Sequence, residues 1–169
     1  QNPGYGWKYQ PRDGRTDTSV TGWMVLALKA ARMAKLVVPQ KAFDGAITWF
    51  DRVTRVRDGK VGYMRPGDNG AKLHGRPPDT FRNVPTMTAV SVLCRIFCGQ
   101  KRSDKKIKQG VEILMKNLPE YNKPKNDKVN FYYWYYGTYA MFQVGGSKWK
   151  KWNEAMKNTL LKTQRTGRI

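Results

Sequence analysis

Acidic side chains are scarce in this sequence. Twelve Asp and Glu stand against thirty-two Lys and Arg, a formal net charge of +20. Histidine is limited to His74 and cysteine to Cys94 and Cys98. A catalytic zinc needs three protein ligands and a structural zinc four. Two cysteines one helical turn apart and one distant imidazole do not supply them, so neither a metal nor a cofactor is expected. The two thiols share a helix face and are expected as buried free thiols. They do not fix a redox compartment, and the localisation stays open. No apolar run approaches the ~20 residues of a membrane span, and no secretory leader pattern is visible. The chain starts at Gln1 rather than Met, which leads us to expect a processed protein or a piece of a longer one. Three glutamates, Glu112, Glu120 and Glu154, fall on outer helices or a loop, which disfavours a glycosidase with two facing carboxylates.

What the sequence does hold is aromatic and basic. Six Trp, nine Tyr and six Phe in 169 residues give ample material for one core. A chain of this size buries roughly 70% of its unfolded surface and needs no staples. We read 1–169 as a single domain. The positive field attracts polyanions: acidic polysaccharide, nucleic acid or an anionic lipid surface. Lys101, Arg102, Lys105, Lys106 and Lys108 form one candidate patch, and Lys148, Lys150 and Lys151 another. A solvated surface that only keeps the chain soluble is the plain alternative.

Hydrophobic periodicity predicts six helices and no substantial sheet. Thr16-Asp17-Thr18-Ser19 is a cluster of N-cap residues, followed by Val20, Trp23, Met24, Ala27, Leu28 and Ala31 at threes and fours. Val25, Leu26 and Ala30 fill the other side, so this helix, near 18–35, reads as buried all round. Val38-Pro39 breaks it. Phe43, Ala46, Ile47 and Phe50 then stripe an amphipathic helix near 40–54. The pattern recurs twice. A mostly apolar segment near 86–99 (Ala89, Val90, Val92, Leu93, Ile96, Phe97) precedes an amphipathic one near 104–117. Another, near 131–143, opens with Phe131-Tyr132-Tyr133-Trp134-Tyr135-Tyr136 and precedes a helix near 147–163 striped by Trp149, Trp152, Met156 and Leu160. Short connectors within each pair favour antiparallel hairpins. The links 56–84 and 120–130 are rich in turn formers and read as rim loops. The expected architecture is three antiparallel helical hairpins, with the apolar helices inside and the amphipathic ones outside.

Gly6-Trp7-Lys8-Tyr9-Gln10-Pro11 before the first helix is echoed by Val61-Gly62-Tyr63-Met64-Arg65-Pro66 before the third. Together with Asp17-Thr18-Ser19-Val20-Thr21-Gly22-Trp23, Tyr132 to Tyr136, and Trp149-Lys150-Lys151-Trp152-Asn153, these segments resemble the prenyltransferase and squalene-oxidase repeat family. Gln164-Arg165-Thr166-Gly167 looks like the start of a further repeat. The resemblance implies part of an α/α toroid of the squalene and terpenoid cyclase type, in which inner helices ring a cavity. A full toroid has six hairpins, and this chain would supply three. The concave side would then be covered by another chain, a second copy or an apolar ligand.

The resemblance carries little of the family's chemistry. Class II cyclases protonate an isoprenoid with an Asp-x-Asp-Asp motif followed by Thr. The matching stretch is Gly14-Arg15-Thr16-Asp17-Thr18, where only the last Asp survives and Thr16 stands at the proton donor's place. Asp13 is nearby at a different spacing. Arg12 and Arg15 favour ionised carboxylates, whereas the chemistry needs a protonated acid. The zinc ligands of protein prenyltransferases and the Gly-Cys-Gly-Glu-Gln stretch of thioester proteins are absent. Three weak catalytic candidates remain: Asp13, Asp17 and His74. His74, with Lys72, Arg76 and the tyrosines, would fit a polysaccharide lyase on a related toroid. Trp23, Tyr132, Tyr133, Trp134, Tyr136 and Tyr139 are the candidate cavity aromatics, with core packing as their plainer role.

The first expectation is therefore a non-catalytic binding or assembly module with a basic surface. A cyclase-like enzyme on an apolar substrate is the alternative, and a lyase-like enzyme comes third. The places of Asp13, Asp17 and His74 separate the three.

Overall fold

The computed structural model describes residues 1–3, 5–68, 84–121 and 129–164. Six α-helices account for their regular structure: α1 (Thr18–Met33), α2 (Gln40–Arg52), α3 (Thr86–Phe97), α4 (Lys105–Met115), α5 (Phe131–Val144) and α6 (Gly146–Thr163). Among the described residues there is no strand, only an isolated antiparallel bridge between Thr54 and Val61. The fold is all-α, and each predicted helix is present.

The helix starts follow from capping chemistry. Asp17 caps α1 by accepting the Val20 amide at 2.8 Å. Asp104 caps α4 through the Lys106 amide, and Asn130 caps α5 through the Tyr133 amide, both at 2.8 Å. Pro39 and Pro85 precede α2 and α3. Between α5 and α6, Gly145 and Gly146 take φ of 74° and 64°. Only glycine reaches that region without a Cβ penalty, which lets the chain turn in two residues.

Helix α3 is the centre of the packing. It lies against α1, α4 and α5, while α2 packs on α1 and α6 on α5. Its buried residues run from Thr88 to Arg95 without a break. The core gathers Val25 from α1, Phe43, Trp49 and Phe50 from α2, and Leu93 from α3. Ile107 and Leu114 from α4, Tyr133 and Met141 from α5, and Trp152 from α6 complete it.

Two expectations need correction. Helix α1 is not buried all round. Its buried residues are Thr18, Thr21, Gly22 and Val25, while Trp23 is 57% and Met33 74% exposed. Its main helical neighbours are α2 and α3, and two neighbours cover only part of a cylinder. Nor is α1 more buried than α2, which sinks Phe43, Gly45, Ala46, Trp49 and Phe50. The ranking of apolar over amphipathic helices holds for α3 over α4 and for α5 over α6. The thiols also divide. Both are free, with Cys94 buried and Cys98 half-buried. Burial raises both, Cys98 to about 12, so neither is a ready thiolate.

Candidate functional site

The aromatic run on α5 is sorted by helical geometry. Six consecutive rings at 100° steps cannot share a face. Tyr132 and Tyr136 turn toward α1, where they form an open pocket with Trp23, Leu26 and Tyr135, about 420 Å3 in volume. Tyr133 goes to the core, edge-on to Trp152 at 5.7 Å, and its hydroxyl donates to the Asn117 carbonyl at 2.7 Å. Trp134 is buried too, packed edge-on against Phe131. Tyr139 packs edge-on against Phe97 at 5.4 Å and borders a second cleft, between α5 and α6. Of the six aromatics expected to line one cavity, Trp23, Tyr132 and Tyr136 meet there. Tyr133, Trp134 and Tyr139 do not. Tyr135, which the sequence left unassigned, lines both openings.

The pocket is held by close approach beneath it. A Cβ on Gly22 would stand 2.5 Å from Val90 on α3, so only glycine lets α1 sit this near. The Cys94 thiol donates to the Gly22 carbonyl at 3.8 Å. Ser19 on α1 and the pocket residue Tyr132 on α5 share a hydrogen bond of 2.8 Å. Tyr132 and Tyr136 meet edge-on at 4.9 Å. The Tyr136 hydroxyl is buried and has no hydrogen-bond partner. Burial pushes both phenols above their ordinary range. They are neutral donors and acceptors, not bases.

The acid candidates lie elsewhere. Asp17 is fully buried at the start of α1. One carboxylate oxygen makes the cap, and the other has no hydrogen-bond partner. Its own amide donates to Trp7 at 3.1 Å. The next residue, Thr18, ties the same point to the rest of the fold. Its amide donates to the Tyr63 carbonyl at 3.0 Å, its hydroxyl to Gly62 at 2.8 Å, and it accepts the Trp49 indole at 3.2 Å. Burial first, then the Asp17 carboxylate, raises the Tyr63 phenol. Asp17 is thus the N-cap of a junction, and it does not line the aromatic pocket. Asp13 accepts the Arg15 amide and guanidinium, both at 2.9 Å. That amide, with the guanidinium's help, holds its pKa below the usual carboxylate value, the opposite of what a proton donor requires. His74, Lys72 and Arg76 lie outside the described residues, as do Arg165 to Gly167. Among the described residues, no three metal-ligating side chains come together.

The basic candidates divide in the same way. Lys106 is engaged with Asp51 at 2.7 Å, and Lys148 with Glu112. Arg102 is exposed and reaches the Val144 carbonyl at 3.5 Å. Lys101, Lys105, Lys108, Lys150 and Lys151 are exposed on the loop before α4 and on the outward sides of α4 and α6. No helix among the described residues is long and apolar enough to cross a membrane.

No family model, curated protein or solved structure matches this chain.

Proposed function

We propose that this chain is a non-catalytic binding or assembly module on a squalene-cyclase and prenyltransferase-like α/α scaffold. Three hairpins, α1–α2, α3–α4 and α5–α6, would form part of a toroid, with α1, α3 and α5 toward the concave side. The contacts of α3 with both α1 and α5, and of each odd helix with the next even one, support that reading. So does a repeated hydrogen bond: Thr21 accepts the Trp7 amide at 3.0 Å and Thr88 accepts the Val61 amide at 3.1 Å. Each of the two echoed aromatic turns is thereby pinned to the first turns of the helix it introduces.

The observation that carries the function is the wall of the pocket between α1 and α5. Trp23, Leu26, Tyr132, Tyr135 and Tyr136 line it, with no carboxylate or imidazole among them. Such a surface stacks rings or apolar chains and offers phenol hydroxyls for orientation. It supplies no acid strong enough to protonate an alkene. The ligand class is a polyanion: acidic polysaccharide first, then nucleic acid or an anionic lipid surface. Sugar rings suit the aromatic wall, and acidic groups suit the exposed lysines.

Titration with heparin oligosaccharides, followed by tryptophan fluorescence over a salt series, tests the reading. Binding should weaken steeply as salt rises, and Trp23→Ala should weaken it further. Elution from immobilised heparin at low salt, or turnover of an isoprenoid by the purified protein, would overturn it.

A further inference from the structure

Phe131, Tyr135, Tyr139 and Phe142 recur along α5 at steps of four and three, and they are 68%, 58%, 37% and 59% exposed. They lie along one edge of the helix. From α6, Trp149, Met156 and Leu160 face them, closing an open cleft of about 550 Å3. Phe142 and Trp149 meet edge-on at 5.3 Å across it. From Phe131 to Phe142 the cleft runs ~16 Å, or three helical turns. Monomeric proteins seldom leave so continuous an aromatic surface open without a use for it.

The packing of the chain shows what shape fits there. Helix α3 is covered by α1 and by α5, and α5 is covered by α3 but bare along this edge. The bare edge with its α6 flank is a two-helix groove, which accepts an amphipathic helix through residues at i, i+4 and i+7. Charge then selects the partner. Lys150 and Lys157 are exposed and lie two turns apart on α6. Each follows a cleft residue, Trp149 or Met156, by one position and lies on the solvent side of α6 next to it. A second copy of this chain is a poor occupant, because two bodies of formal net charge +20 repel.

We propose that the α5–α6 cleft docks an amphipathic helix of a partner protein. Its apolar stripe fills the space between Tyr135, Phe142 and Leu160, and its flank carries Asp or Glu opposite Lys150 and Lys157. The inference rests on the binding-module reading and names a protein partner on a face other than the α1–α5 pocket.

The probes are two stapled helical peptides of about four turns with the same leucine stripe, one flanked by Glu and one by Lys. Binding is read from the fluorescence of Trp134 and Trp149. The Glu-flanked peptide should bind at least about tenfold tighter, by roughly the 1.4 kcal/mol that a factor of ten represents. The double variant Lys150→Glu, Lys157→Glu should reverse the preference. Phe142→Glu, at an exposed position, should abolish binding while circular dichroism stays unchanged. No binding of either peptide, equal binding of both, or light scattering that shows this face closed by a second copy would overturn the proposal. A parent protein that binds heparin but neither peptide would sink the helix site alone. Loss of heparin binding with the peptide still bound would sink the polyanion reading alone.

Discussion

Arg95 on α3 donates to Asp51 on α2 at 2.7 Å, and the guanidinium is buried while the carboxylate reaches solvent. Ser91, Thr54 and Gln100 take its other contacts, and Lys106 of α4 meets the same Asp51 oxygen at 2.7 Å. One carboxylate therefore ties three helices. Asp51→Ala should destabilise the fold by about 1–3 kcal/mol, less than a fully enclosed pair because the carboxylate is partly solvated and other acceptors remain. Burial tends to raise Asp51, but the hydrogen bonds from Lys106 and Arg95 prevail and its pKa is lowered. Its stabilising contribution is then present above the unfolded carboxylate value and is lost as pH falls through the lowered folded value. Thermal melts from pH 7 down to pH 2 should show a shallower acid limb in Asp51→Asn. An unchanged limb would mean the pair contributes nothing.

Asp17 gives a sharper test of cap against acid. Asn accepts the same amide that Asp does, whereas Ala cannot. Asp17→Ala should cost about 1 kcal/mol, within the usual 0.5–2 for a lost N-cap, and Asp17→Asn should stay close to the parent. A catalytic acid would add a loss of turnover in Asp17→Asn even though the fold is kept. Denaturant titration of the three proteins, with an isoprenoid turnover assay beside it, distinguishes them. Isoprenoid turnover by the parent that Asp17→Asn abolishes would restore the cyclase reading.

Helix number, helix type and the N-cap role of Asp17 were legible because capping and periodicity are local. The solvation of each helix was not. Val25, Leu26 and Ala30 filled the second side of α1 in the pattern, yet Leu26 is half-buried and Ala30 exposed, since apolar content does not say how many neighbours a helix will have. Arg95 was missed for a related reason. It sits in the most buried helix, and the signals that it is satisfied, Ser91 four residues before it and Asp51 on another helix, include a tertiary one. The run 131–136 could be divided among faces from the 100° step alone, but which face meets α1 depends on the position of α3. Tyr135 escaped notice because its role at both openings is set by packing rather than by spacing.

Gly137 on α5 faces Trp152 on α6, and a Cβ there would come within 2.5 Å of the indole. Trp152 is fully buried and its Nε1 donates to Thr138 at 3.0 Å, so the ring has little freedom to retreat. Gly137→Ala should destabilise by about 1–3 kcal/mol through overpacking, even though Ala is the better helix former. Trp152→Phe in the same chain should recover part of the loss by shortening the ring. A stabilised Gly137→Ala in chemical denaturation would show that α5 and α6 are not in this contact.

The lysines named from sequence should not behave as one patch. Lys106 and Lys148 are occupied by Asp51 and Glu112, whereas Lys101, Lys105, Lys108, Lys150 and Lys151 stand in solvent. A cation already paired contributes less to polyanion binding, and reversing it removes an ion pair as well. Lys105→Glu with Lys108→Glu should therefore lower the salt needed to elute the protein from heparin and leave the melting temperature nearly unchanged. Lys106→Ala should do the opposite, shifting elution little and lowering stability by about 0.5–1 kcal/mol, as a partly exposed pair would. The number of contacts follows from the slope of log affinity against log salt, which should become shallower for the reversal of Lys105 and Lys108. Equal slopes for the parent and that variant would place the polyanion surface elsewhere on the chain.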